Sequence, residues 1–221
     1  MERHFDEELK NLKQKLLQMG DTAQQMIGLA VKSLVERKEE LARGVFRLEE
    51  QVNHMEIEIE DAVLKLIALR QPAAKDLRFL TATLKINNDL ERVADQSVNI
   101  AELALDLLKV SPLKPLIDIP HMAALVQKMI KESLNAFVRH DPNLAKEVCR
   151  DDDEVDQLNE QIFLELLTYM MQDAKNINRA VDLILLSRSL ERIADHATNI
   201  GEEVIFIEEG KNVKHHIQEN K

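Results

Sequence analysis

Apolar residues return along the chain in alternating steps of four and three. Phe5, Leu9, Leu12, Leu16, Met19, Ala23, Met26 and Ala30 form one such seam, and Leu41, Val45, Leu48, Val52, Met55, Ile59, Ala62, Leu66 and Leu69 form a second. A period of this length marks one face of a helix, so the seams predict long amphipathic helices over about residues 3–37 and about 39–69. Gln71-Pro72 closes the second, because proline pushes the residue before it out of the α region. A third helix restarts near Ala74 and runs to about Lys109. The stretch SPLKPLIDIP, Ser111 to Pro120, holds three prolines in ten residues and is read as a break. A fourth helix is expected from about His121 to Arg139. Asp141-Pro142 then supplies an N-cap and a proline for the first helical position of a fifth helix, ending near Met171. The sixth runs from about Asp173 to Glu209, with Gly210 as its C-cap.

The pattern is written twice. LERVADQSVNIAE, Leu90 to Glu102, returns as LERIADHATNIGE, Leu190 to Glu202, at an offset of 100 residues. Earlier in each half, MIGLAVKSLVERKEELARGVFRLEEQV from Met26 aligns with MIKESLNAFVRHDPNLAKEVCRDDDEV from Met129 at an offset of 103. The chain therefore reads as a duplicated three-helix unit. The repeats occupy residues 1–110 and 121–210, separated by a Pro-rich linker at 111–120 and followed by a loose tail at 211–221. Short connections make consecutive helices antiparallel neighbours. The expected fold is all-α: two tandem antiparallel three-helix bundles related by a pseudo-two-fold axis.

The third helix is apolar over much of its girth. One seam passes through Leu77, Leu80, Leu84, Asn87, Glu91, Ala94 and Val98, and a parallel one through Phe79, Thr83, Ile86, Leu90, Val93 and Ser97. Glu91 thus stands where an apolar residue belongs, with Asp95 one turn on along the same face. Glu191 and Asp195 repeat the arrangement in the sixth helix. Like charges at i and i+4 repel by a few tenths of a kcal/mol in water and by more when half-buried. Arg92 and Arg192 point about 100° away from the acids they follow and are poorly aimed to offset them; a bound cation is better placed. The neighbouring helix carries Glu49, Asn53 and Glu56 in the first half, and Asp152, Asp156 and Asn159 in the second. Convergence of these groups would make an all-oxygen site suited to a hard divalent or trivalent ion: Mg²⁺, Mn²⁺, Ca²⁺ or oxidised iron. Taken singly, Asp152/Asp156 is weak evidence, since a chain with 40 acidic residues in 221 places many such pairs on solvated faces.

Composition narrows the function. Hydrophobic residues make up 45% of the chain, aromatics only 3%, and there is no Trp, so the core is aliphatic. The net charge of −11 disfavours nucleic acid and anionic lipid and favours cations. No apolar run approaches the roughly 20 residues that cross a bilayer, so no membrane insertion is expected. The N-terminal residues lack the apolar core of a secretory signal, and Cys149 is the single cysteine, which points to a reducing cytoplasm. Cys149 falls on the fifth helix's seam and is expected in the core rather than as a nucleophile. His196 adjoins Asp195 but is expected to serve structure rather than a metal. No Gly-rich phosphate loop, nucleophile elbow or dinucleotide fingerprint occurs, so no enzyme is expected.

The repeated LER-(V/I)-AD-x-x-x-NI-x-E, with KDLRFLTATLKINNDLERVAD in the first half and EEQVNHME and DDEVDQLNE upstream, resembles the PhoU family over about residues 5–210. The resemblance implies two three-helix bundles and a cytoplasmic regulator of phosphate uptake and of the phosphate-starvation response. It implies partners in a phosphate-specific ABC transporter, met from its cytoplasmic side, and in a sensor histidine kinase. It further implies metal ligation by Glu49, Glu91 and Asp95 in the first half and by Asp152, Asp156, Glu191 and Asp195 in the second. Asn53 stands where the second half has Asp156, so the first site is expected to bind its ion more weakly. A homodimer is expected from the apolar seams on two faces of the third and sixth helices. The competing function is a carboxylate-bridged iron oxidase or store on a helical bundle, against which stands the absence of Glu-x-x-His from the motif helices; a metal-free helical adaptor is the third.

Overall fold

A computed structural model describes residues 2–210, with side chains from Phe5 onward; the expected loose tail lies outside the described residues. Among the described residues six long helices follow in order: α1 Glu2–Glu36, α2 Glu39–Arg70, α3 Ala74–Leu108, α4 Asp118–Arg139, α5 Pro142–Gln172 and α6 Ile177–Glu209, with one 3₁₀ turn at Ala174–Asn176. The all-α architecture is the one the periodicity predicts. α1, α2 and α3 pack together, as do α4, α5 and α6, and the two bundles join through α3 against α6 and α1 against α4.

The helix ends differ from expectation where local chemistry intervenes. α4 begins at Asp118 rather than His121, so Pro120 sits inside its first turn. A proline is tolerated there because the N–H it lacks has no intrahelical acceptor. α6 begins later than expected, because the Asp173 carboxylate accepts from Lys175 N–H at 2.9 Å and stabilises the 3₁₀ turn instead. Asp141 caps α5 as predicted, accepting from the N–H groups of Asn143 (3.0 Å) and Leu144 (3.2 Å). Arg37 adopts a left-handed conformation just past α1. Its guanidinium then donates to the carbonyls of Leu108 (2.7 Å) and Val110 (2.8 Å), covering the exposed C-terminal end of α3.

The core is aliphatic and continuous. Leu16, Met19 and Met26 of α1, Leu80, Ile86 and Leu90 of α3, and Met122 of α4 are fully enclosed. Phe79 and Phe137 stack at 5.4 Å between ring centres and tie the two bundles together. α2 and α5 lie outermost: their deeply buried positions fall largely at heptad spacing, Val45, Val52, Ile59 and Leu66 in α2 and Val148, Val155 and Ile162 in α5. α3 is different, being enclosed by α1, α2 and α6 of its own chain. Most of its apolar girth is therefore met within the molecule, while Leu77 of α3 and Ile177, Val181 and Leu185 of α6 stay exposed. Among the described residues no helix is long and apolar enough to cross a membrane.

Candidate metal centre

The duplicated carboxylates occupy the grooves where each outer helix meets its central one. In the first half Glu91 and Asp95 are part-buried on α3, their side chains 26% and 35% exposed. Burial, with the Asp95 and Glu102 carboxylates beside it, raises the pKa of Glu49 on α2. Burial and Asp95 raise Glu91 in the same way, opposed by Arg92. Glu49 and Glu91 thus both couple to Asp95. Arg92 corrects the helical-wheel expectation: its Nη1 lies 3.0 Å from Asp95 Oδ2 and its Nε 3.4 Å from Glu91 Oε2. The Cα–Cβ vectors do diverge, but the arginine stem is long enough to reach Asp95 one turn ahead while passing Glu91, so the first pair has a cation of its own.

The second half gathers four acids, opposed at Glu191 by Arg188 and Arg192 and at Asp195 by His196 and Arg192. The Asp152 carboxyl is pushed up to about 7 by burial, then by Asp156, Asp195, Asp153 and Glu191 in turn. Burial followed by Asp195 and Asp156 raises Glu191, and burial followed by Asp156 raises Asp195. Asp156 is raised by partial desolvation and by Asp153, although Asp156 and Asp195 both stand at exposed positions on the rim of the groove. The four predicted ligands therefore form one electrostatic group across α5 and α6. Among the described residues Arg192 makes no ion pair of the kind Arg92 makes. Asp152 Oδ1 is buried with no hydrogen-bond partner, and so is Thr198 Oγ1, one turn beyond Asp195. A buried carboxylate oxygen without a donor costs about 1–3 kcal/mol or more unless a cation or proton meets it.

Gly201 allows this groove to close. A Cβ there would stand 3.1 Å from the Ala145 carbonyl and 3.4 Å from Cys149 Sγ, so its absence lets α5 approach α6 beside the acids. Cys149 is half-buried in that contact, and burial, with Glu202 and Asp152 nearby, pushes its thiol up to about 12. It packs as a neutral thiol at the edge of the α5–α6 contact rather than in the core as expected, because the buried seam of α5 runs through Ala145, Val148 and Val155.

The chemistry of this donor set is oxygen-only and anionic, which fits a hard cation. Among the described residues no three such side chains are already gathered within ligating reach of a single ion. The carboxylates are neighbours held apart, so ligation would need rotamer changes. Glu102, which closes the repeated motif but is not among the expected ligands, joins the first group through its effect on Glu49.

Asp89 is a second residue the motif did not reveal. It is buried on α3 and accepts from Asn199 Nδ2 at 3.2 Å, with His196 Nδ1 at 2.9 Å from the same oxygen. His196 is thereby committed to holding α6 against α3. The repeat places Ser189 opposite Asp89, so a search for duplicated acids cannot find it.

Comparison with known proteins gives concordant results. The family model described as "PhoU domain" matches twice, over residues 16–104 and 119–204. A Pseudomonas aeruginosa protein named as a phosphate-specific transport system accessory protein PhoU homolog is 38% identical over 215 residues, spanning 96% of this chain and 88% of its own. A relative of the same name from Aquifex aeolicus is 41% identical over 213 residues, 96% of each chain. The crystal structure of PhoU from Pseudomonas aeruginosa superposes with a TM-score of 0.90 at 38% identity, over 94% of this chain and 100% of that one. That of the phosphate transport system regulatory protein PhoU from Streptococcus pneumoniae gives 0.87 at 27% identity, over 95% and 99%.

Proposed function

The chain belongs to the PhoU family, and from that premise we propose that it is an accessory protein of a phosphate-specific transport system which restrains uptake by protein contact rather than by catalysis. It acts from the cytoplasm, on the transporter and on a sensor histidine kinase that governs the phosphate-starvation response. Its working state carries a metal ion held by Asp152, Asp156, Glu191 and Asp195, with a weaker site at Glu49, Glu91 and Asp95. When bound, the ion supplies the positive charge that lets these carboxylates pack together.

The observation that carries the metal reading is the partnerless, buried Asp152 oxygen within a four-carboxylate group. The first site is weaker for two reasons: Asn53 replaces an acid, and Arg92 already sits on Glu91 and Asp95. Neutralising the second group removes repulsion between α5 and α6 and fixes their outer surface, the face offered to partners. The test is phosphate uptake by cells lacking this chain, grown with ample phosphate. Restored wild-type protein should return uptake to its restrained level, and an Asp152→Asn/Asp195→Asn variant of equal abundance should not. Full restraint by that variant would remove the metal from the account; unrestrained uptake with the wild-type protein would remove the transporter.

A further inference from the structure

The α3–α6 contact breaks the pseudo-symmetry of the chain, and the break leaves a cleft. On one side, Lys85 of α3 reaches Glu203 of α6 with both contacts at 2.9 Å, Lys85 stacks 5.3 Å from the Phe206 ring, and Asp89 holds His196 and Asn199. The repeat maps these positions, at an offset of 100, onto Leu185, Leu103, Asp106, Ser189, Gln96 and Asn99. The ion pair cannot be rebuilt, because Leu185 and Leu103 stand where lysine and glutamate do, and the clamp is absent because Ser189 donates to the Leu185 carbonyl and Asn99 to Gln96 instead. What stands there instead is an open cleft of ≈ 490 Å³. That volume is within the roughly 300–1,000 Å³ of small-molecule sites and more than a bare orthophosphate occupies.

Two guanidinium groups line the α6 wall of this cleft, Arg188 and Arg192, one helical turn apart. Among the described residues neither makes an ion pair, whereas the homologous Arg92 makes two. Asn99 and the buried Ser189 complete the polar lining. The facing α3 wall carries Glu102 and Asp106, of which Asp106 is engaged by Lys109 at 2.7 Å. The cleft is thus polarised, with Glu102 and Asp106 on the α3 wall and the two arginines on the α6 wall, where Asp182 lies near Asp106.

We infer that this cleft binds a phosphoryl group against Arg188 and Arg192, carried on a small organic body or present as the free anion. Guanidinium forks match the paired oxygens of such groups, and two adjacent forks suit a charge near two better than the single charge of a carboxylate. The arginines also lie within the field of Glu191, and Arg192 within that of Asp195. A cation bound to those carboxylates would relieve their hold on the two side chains, so anion and metal should bind with positive coupling. This last point rests on the proposed metal site, whereas the anion site does not.

The test is calorimetric titration of the full chain, without added metal, with orthophosphate, with adenosine monophosphate and with acetate. Wild type is expected to bind one of the two phosphoryl probes at least ~10-fold more tightly than acetate, and the tighter probe identifies the source. Arg188→Gln and Arg192→Gln, both at exposed positions, should each weaken that binding ~10-fold or more with unchanged helicity. Arg92→Gln, at the homologous position outside the cleft, should leave it unchanged. Absence of binding for both phosphoryl probes, or equal binding in the Arg188 and Arg192 variants, would overturn the assignment.

Discussion

At the residue scale, the molecule's chemistry is concentrated in Asp152. Its folded pKa lies near 7, well above the 3.8 of an unperturbed aspartate. A carboxyl raised by folding binds protons more readily in the folded state, so its ionisation opposes folding. That opposition is absent below the unfolded value and complete above about 7. Metal-free protein should therefore lose stability as pH rises through this window, and thermal melts of wild type and Asp152→Asn across it check the sign. The variant should flatten the slope and melt a few degrees higher at the alkaline end. Protons and metal compete for the same oxygens, so Mn²⁺ should raise the wild-type melting temperature more above pH 7 than below it. The acids themselves were legible in the sequence, because a duplicated motif put Glu91, Asp95, Glu191 and Asp195 on a seam that should have been apolar. Arg92's return to its own neighbours was not legible: a helical wheel fixes where Cβ points but not where a long flexible side chain ends.

At the scale of elements, helix number and order followed from periodicity and from Gln71-Pro72, Asp141-Pro142 and Gly210. Asp141 shows the kind of signal that is reliable, since both its acceptor role and the proline after it are local. Asp141→Ala should cost ~1 kcal/mol, read as a lower urea midpoint with unchanged slope. The starts of α4 and α6 were missed by a few residues for reasons equally physical. A proline in a first turn is no obstacle to a helix, and an Asp side chain can stabilise a 3₁₀ turn just ahead of one. Where α5 approaches α6, Gly201 decides the spacing beside the second carboxylate group.

At the scale of the whole molecule, the two bundles share one aliphatic core through α3 against α6 and α1 against α4, and polar contacts are set into its α3–α6 part. Asp89 serves both His196 and Asn199, so Asp89→Ala strands two donors and should cost ~1–3 kcal/mol. Hydrogen exchange should then rise along the α3–α6 contact first. No sequence pattern announces such a contact, since it links residues more than a hundred positions apart and has no counterpart in the other repeat. The duplication nevertheless reveals function by its failures: where one half has Asp156 the other has Asn53, and where one side has a clamp the other has a cleft.

The account depends most on a cation drawing the α5 and α6 carboxylates together. Calorimetric titration of metal-stripped full-length chain with Mn²⁺, just above neutral pH, tests this directly against Asp152→Asn/Asp195→Asn. A tight saturable step in wild type, lost in the variant while a weaker step from the first half persists, is the predicted result; superimposable isotherms, or no heat of binding in wild type, would contradict it.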